Sequence, residues 1–96
     1  MEYNLEKNLE QEILALAKKY GLHKVILFGS RARGTNRPRS DIDLAVSGGD
    51  VLRFSLAVEE ETWTLLCFDV VDLAERHSPE FLAEIERDGV VLYEKV

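Results

Sequence analysis

Hydrophobic and polar residues follow two different periods along this chain, and the periods predict its secondary structure. Residues 1–20 place apolar side chains at helical spacing, which predicts an amphipathic helix that ends at Gly21. Residues 25–28 form a continuous apolar run with the length of a strand buried on both faces. A short helical turn is expected over residues 30–34. Residues 41–46 then alternate, which predicts a second strand with one core face. That core face comprises Ile42, Leu44 and Val46.

The second half of the chain continues the alternation of helices and strands. Residues 51–61 fit a strand or a helix, and we favour a helix because a helix is the usual crossover between neighbouring strands. Residues 64–71 are rich in β-formers and predict a third strand, followed by a helix that starts at Ser78-Pro79 and ends at Gly89. Residues 90–93 predict a final strand. On the strand, one face is shared by Leu65, Cys67, Asp69 and Val71, and Cys67 is expected to be a small core residue. The core face of the helix comprises Phe81, Leu82 and Ile85. The prediction is an α/β domain with a mixed sheet of about four strands and flanking helices.

Composition limits the classes of protein to which the chain can belong. Its 96 residues predict a single domain over 1–96, and 46% hydrophobic with 31% charged residues is an ordinary globular composition. No uncharged stretch reaches the about 20 residues of a membrane span, and the acidic N-terminus is unlike a signal peptide. The one cysteine, Cys67, excludes an internal disulfide and a cysteine-based zinc site. We therefore expect a cytoplasmic protein with no membrane contact.

The charge distribution is more informative than the net charge of −6. Residues 31–39 carry four arginines and no acidic residue, whereas the rest of the chain contains the other 8 of the 12 basic residues and all 18 acidic residues. An acidic body argues against general nucleic-acid binding. The basic loop indicates a local anion site or an acidic partner. Arg31 and Arg33 lie nearest the turn described next and are predicted to contact phosphate or a partner, whereas Arg37 and Arg39 are expected to be solvated.

Candidate chemistry concentrates in Gly29-Ser30 and in Asp41 and Asp43, which follow after a ten-residue spacer. Gly29 allows a tight turn and a close approach of the backbone to a ligand, and Ser30 opens a helical turn whose free N–H groups favour phosphate. Asp41 and Asp43 point the same way from one strand, about 6 to 7 Å apart at the backbone. Their repulsion is relieved by a proton or a cation, and oxygen ligands beside phosphate favour Mg²⁺. The alternative is a solvated strand face.

A third carboxylate, Asp69, lies on the next predicted strand. If that strand neighbours the second, the three carboxylates converge and can hold two Mg²⁺ ions for in-line displacement at phosphorus. Asp69 could also accept the proton of an attacking hydroxyl. Asp72 is the weaker candidate for this role, because it points to the other face and suits a cap of the following turn.

The segment GSRARGTNRPRSDIDLAV, together with FDVVDL and the closing GVVLYE, resembles the nucleotidyltransferase superfamily that includes DNA polymerase beta, and in particular its minimal nucleotidyltransferase branch. The resemblance implies that Gly29 and Ser30 bind the triphosphate and that Asp41, Asp43 and Asp69 hold the metal. It implies ATP as substrate, Mg²⁺ as cofactor, AMP transfer to a hydroxyl and release of pyrophosphate. Minimal members often act as antitoxins that adenylylate a tyrosine of a helical HEPN-class toxin encoded beside them.

Two other functions remain open from the sequence. The chain could be a non-catalytic module that binds a nucleotide or a partner and neutralises that partner by occlusion. It could instead transfer a nucleotide to a small molecule or an RNA end, acting as a homodimer whose second subunit completes the pocket. The short length motivates both alternatives, since the residues show no acceptor pocket.

Overall fold

The alternating elements predicted from the sequence are present in the computed structural model, which describes residues 3–95. The helices and strands follow one another in strict alternation along the chain. They are α1 (Lys7–Lys19), β1 (Lys24–Phe28), α2 (Gly29–Arg33), β2 (Ile42–Ser47), α3 (Val51–Glu61), β3 (Phe68–Asp72), α4 (Pro79–Asp88) and β4 (Val90–Glu94). The segment 51–61 is therefore a helix, as we favoured, and Asp50 caps it by accepting a hydrogen bond from the backbone N–H of Arg53 (3.1 Å).

The four strands form one mixed sheet in the order β3-β2-β1-β4. β1 is antiparallel to both of its neighbours, whereas β2 and β3 are parallel and are joined through α3. A parallel pair needs such a crossover because the chain must return to the starting edge of the sheet. As a result, the end of β1 and the beginnings of β2 and β3 meet at one end of the sheet.

Helices cover the sheet on both faces. The larger core cluster joins α1 and α3 to one face and includes Ile13, Phe54 and Leu44, all fully buried. The smaller cluster lies on the other face, where Ile85 of α4 contacts residues of β1 and β2. Residues 25–28 of β1 are buried throughout, which confirms that the apolar run is a strand covered on both sides.

The third strand is shorter than predicted. It begins at Phe68 and not at residue 64, because β2 begins only at Ile42 and offers no partner further along. The backbone N–H of Ile42 donates to the carbonyl of Cys67 (2.9 Å), where the pairing ends. Leu65 and Cys67 are therefore exposed, and the prediction that Cys67 is a small core residue is wrong.

The core face of α4 is also narrower than predicted. Phe81 and Ile85 contact the sheet, but Leu82 is 44% exposed and does not belong to the core. The reason is that α4 packs on the sheet and against α2, and Leu82 lies outside the stripe that makes these contacts. None of the helices within residues 3–95 combines the length and the apolar character that crossing a membrane requires.

Candidate active site

The end of the sheet where β1, β2 and β3 meet carries the predicted phosphate turn and the predicted carboxylates. Gly29 follows β1 directly and has φ +74°, a left-handed backbone conformation that favours glycine. A Cβ atom built on Gly29 would overlap the carboxylate of Asp43 and would lie 3.2 Å from its Cγ atom. Two separate features therefore require glycine at position 29, namely the positive φ and the Asp43 side chain that occupies the space of a Cβ atom. The turn and the carboxylate are in direct contact.

Asp43 and Asp69 are paired residues on the parallel strands β2 and β3. Paired positions on neighbouring strands lie about 5 Å apart, with their side chains on the same face of the sheet. Asp41 precedes β2 by one residue and lies on the same side as Asp43. Asp43 is half-buried, whereas Asp41 and Asp69 are exposed. The structure therefore brings the three predicted carboxylates to one end of the sheet.

The electrostatics of this end centre on Asp43. The pKa of the Asp43 carboxyl is raised to about 6, first by burial and then by the negative charges of Asp69, Asp41 and Glu84, against a lowering effect of Arg33. An aspartate with this pKa is short of nearby positive charge. It would gain from a cation placed between it and Asp69.

The donor set fits Mg²⁺, since carboxylate oxygens are the ligands this ion prefers and substrate phosphates commonly complete its shell. Asp43 and Asp69 are the residues best placed to hold it, with Asp41 beside them. Within residues 3–95, no three His, Cys, Asp or Glu side chains already stand close enough together to form a complete metal site.

Arg31 has a different environment from the one predicted. It is 5% exposed, and its guanidinium donates hydrogen bonds to the carbonyls of Ser40 (3.0 and 3.1 Å), Pro38 (3.2 Å) and Asn4 (3.3 Å). The backbone N–H of Asn4 also donates to the carbonyl of Arg31 (2.8 Å). Arg31 thus fastens the loop that leads into Asp41 and ties it to the N-terminal segment. These contacts argue against the predicted phosphate contact of Arg31.

Arg33 is the last residue of α2, and its half-exposed side chain extends towards α4. Its guanidinium is 3.8 Å from carboxylate oxygens of both Glu84 and Asp88. Glu84 is close enough to Asp43 to influence its pKa, so it is a fourth carboxylate at the site that the sequence did not reveal. The amphipathic pattern of α4 marks only its apolar stripe and gives no reason to select one glutamate among its polar positions.

The remaining predicted residues are placed as follows. Ser30 is partly exposed in the first turn of α2, and the N-cap residue Phe28 offers that helix no side-chain cap, which leaves the first turn open to a ligand. Arg37 and Arg39 are exposed, as predicted. Asp72 accepts a hydrogen bond from the backbone N–H of Ala74 (2.9 Å), which matches its predicted capping role.

The chain is similar to known proteins. The family model described as "Polymerase beta, Nucleotidyltransferase" matches residues 11–96. A Methanocaldococcus jannaschii protein named "putative protein adenylyltransferase" is 35% identical over 101 residues, which cover 94% of this chain and 99% of the relative. Similarity at that level and coverage extends to the whole domain.

Two solved structures show the same fold at comparable identity. One is a crystal structure of a toxin–antitoxin with AMP-PNP, with a TM-score of 0.68 and 28% identity over 90% of this chain and 73% of that chain. The other is described as a "putative minimal nucleotidyltransferase", with a TM-score of 0.67 and 29% identity over 88% of this chain and 89% of that chain.

Proposed function

Because the chain belongs to the polymerase beta nucleotidyltransferase family, we propose that it transfers AMP from ATP to a hydroxyl of a partner protein, using Mg²⁺. The observation that carries this proposal is the contact between Gly29 and Asp43, with Asp69 paired beside Asp43. It places a turn suited to phosphate against two carboxylates suited to a cation. Phosphoryl-type transfer needs mainly positioning and charge stabilisation, which a small domain can supply.

In the proposed complex, the turn at Gly29 and Ser30 holds the β- and γ-phosphates of ATP. The free N–H groups of the first turn of α2 and the Ser30 hydroxyl donate to phosphate oxygens. Arg33 lies on the same short helix and adds positive charge beside the turn. Asp41, Asp43 and Asp69 would hold Mg²⁺, which supplies charge neutralisation at the α-phosphate when it is bound.

The acceptor oxygen forms a bond to the α-phosphorus while the bond from that phosphorus to the bridging oxygen of the β-phosphate breaks. Pyrophosphate leaves with the electron pair of that bond. The proton of the acceptor hydroxyl passes to the carboxylate of Asp69, which is more exposed than its paired residue Asp43.

The nature of the acceptor rests on the relatives. One relative is named a protein adenylyltransferase, and one similar structure is a toxin–antitoxin with AMP-PNP. We propose that this chain acts as the antitoxin of such a pair and modifies a tyrosine of a HEPN-class toxin. A separate acceptor protein also fits the small size of the domain, because residues 3–95 leave no second lobe to hold an acceptor.

The test is an intact-mass measurement on the chain and the protein encoded beside it, incubated with ATP and Mg²⁺. We expect the partner to gain one or more adenylyl units, and the paired variants Asp41→Asn and Asp43→Asn to abolish the gain. Asp72→Asn is the matched control, since Asp72 lies on the same sheet but caps a turn outside the site. An unchanged partner mass in a stable complex would support neutralisation by occlusion instead.

A further inference from the structure

Large apolar side chains lie in water beside the candidate active site. Trp63 is 92% exposed and Leu65 is fully exposed, both in residues 63–67, the segment that leads into β3. The sheet does not explain this segment, since its pairing to β2 begins only at Ile42 and Phe68. Exposed aromatic and leucine side chains grouped on one segment commonly mark a binding site.

The backbone of residues 63–67 is nevertheless fastened to the domain. The N–H of Trp63 donates to a carboxylate oxygen of Glu12 on α1 (3.1 Å). The N–H of Phe68, directly after the segment, donates to a carboxylate oxygen of Glu59 on α3 (3.0 Å). The two ends are thus anchored by different helices, and the apolar side chains between them are presented outward on a supported backbone.

A cavity connects this segment to the carboxylates. It has a volume of about 430 Å³ and is lined by Arg39, Asp41, Leu65, Leu66 and Cys67. Asp41 belongs both to this cavity and to the proposed metal site, so the cavity borders that site. Its walls combine two leucines with one arginine, which suits a planar aromatic ring with a polar edge.

The order of the strands indicates which substrate the cavity holds. In an in-line displacement, the attacking and leaving oxygens lie on opposite sides of the α-phosphorus. The proposed site of the leaving pyrophosphate is the turn at Gly29, at the end of β1. The carboxylates lie at the starts of β2 and β3, and the cavity is lined by the residues that directly precede these two strands. In the order β3-β2-β1 this places the cavity on the side of the carboxylates away from β1, which is the side expected for the attacking oxygen.

We propose that this cavity is the acceptor subsite and receives the phenol ring of a tyrosine, while Trp63 and Leu65 contact the partner segment around that tyrosine. This inference rests on the proposed function and names the surface through which its acceptor enters. The phenolic oxygen attacks the α-phosphorus, pyrophosphate leaves, and the phenolic proton passes to Asp69. Asp69 lies two residues from Cys67, on the same face of the chain.

The one cysteine of the chain allows a direct test, because a thiol reagent labels only Cys67. Benzyl methanethiosulfonate attaches a benzylthio group to Cys67, and dithiothreitol removes it. We expect this group to lower AMP transfer to the partner about 100-fold by displacing the acceptor, and to leave the Kd of AMP-PNP with Mg²⁺ within about twofold. Recovery of transfer after dithiothreitol excludes unfolding as the cause.

A pair of matched variants tests the same surface without a reagent. Leu65→Gln removes an apolar wall of the cavity, and we expect it to raise the KM for the partner about tenfold with little change in kcat. Leu52→Gln is the control, because Leu52 is also exposed (71%) but begins α3 at the opposite end of the sheet. Equal KM values for the two variants would overturn the subsite.

The outcomes separate this inference from the function on which it rests. If the unmodified chain binds AMP-PNP and labels the partner, but labelling survives the block at Cys67, only the acceptor subsite is wrong. If the block weakens AMP-PNP binding tenfold or more, the cavity holds the nucleotide, and the subsite is again wrong. If the unmodified chain neither binds AMP-PNP nor transfers AMP, both proposals fail.

Discussion

Two apolar runs of this chain have opposite fates. Residues 25–28 lie in β1 and are buried throughout, whereas Trp63 and Leu65 in residues 63–67 are almost entirely exposed to water. β1 lies between two strands and beneath helices on both faces, so each of its side chains meets a packed neighbour. Residues 63–67 precede the edge strand, and of their large apolar side chains Leu66 packs against the core whereas Trp63 and Leu65 do not. The difference shows that the fold accounts for the first run and leaves the second free to serve binding.

The largest effect expected from this comparison is on stability. Leu27 on β1 is fully buried, and we expect Leu27→Ala to lower the free energy of unfolding by about 3 kcal/mol through lost burial and a residual cavity. Leu65→Ala should change it by less than about 0.5 kcal/mol, because the side chain is already in water. Urea unfolding of both variants measures the contrast. A loss of similar size in Leu65→Ala would mean that residues 63–67 are packed after all.

A polar residue extends the comparison, since Arg31 is as buried as the core. We expect Arg31→Gln to lower the free energy of unfolding by about 2 kcal/mol, because the partly buried carbonyls of Asn4, Pro38 and Ser40 lose charge-assisted donors. The loop should also loosen, so that trypsin cuts faster after Arg39. Arg31→Lys should recover part of the stability, since an ammonium can reach some of the same carbonyls.

The same variant decides between two roles of Arg31. A residue that fastens the loop should affect stability and trypsin cleavage first, and AMP-PNP binding only through the position of Asp41. If Arg31→Gln leaves stability and loop cleavage unchanged but weakens AMP-PNP binding, the phosphate contact expected from the sequence is right. In that case the hydrogen bonds to Ser40 and Pro38 are incidental.

Local patterns predicted what is local in this molecule. Helical spacing predicted α1, and the alternation of residues 41–46 predicted which face of β2 enters the core, because each signal lies in the element itself. The pairing of Asp43 with Asp69 was expected from an assumed strand order, and the sheet has that order. The roles assigned to the site residues remain predictions.

The errors have a common physical cause, which is that burial depends on neighbours the sequence does not name. Leucine is a common core residue, but Leu65 lies beyond the end of its pairing with β2, and Leu82 lies on the exposed side of α4. The surroundings of Arg31 and the position of Glu84 could not be predicted for the same reason. Their partners are backbone carbonyls and a carboxylate brought close only by the fold.

The smallest effect concerns Asp43, which lies at the boundary between the buried strands and the open end of the sheet. Its pKa is about 6 in the folded chain, raised by burial and then by neighbouring carboxylates, above the usual value of an unfolded aspartate. The folded chain therefore binds a proton more tightly than the unfolded chain does. The ionised carboxylate destabilises the metal-free fold above about pH 6, and this penalty disappears as the pH falls below about 4.

We accordingly expect Asp43→Asn to stabilise the metal-free chain at pH 7.5 by about 1 kcal/mol, a value reduced from the full shift because Asp43 is only half-buried. For a domain of this size that corresponds to a Tm about 4 to 8 °C above that of the wild type. Thermal unfolding in EDTA at pH 7.5 and pH 4 measures this difference in Tm, which should vanish at the lower pH.

Mg²⁺ should reduce the difference in Tm at pH 7.5, since it would stabilise only the chain that keeps the carboxylate. A variant less stable than the wild type at pH 7.5 in EDTA would show that Asp43 serves the fold, and that the charge at this end of the sheet is balanced without a cation.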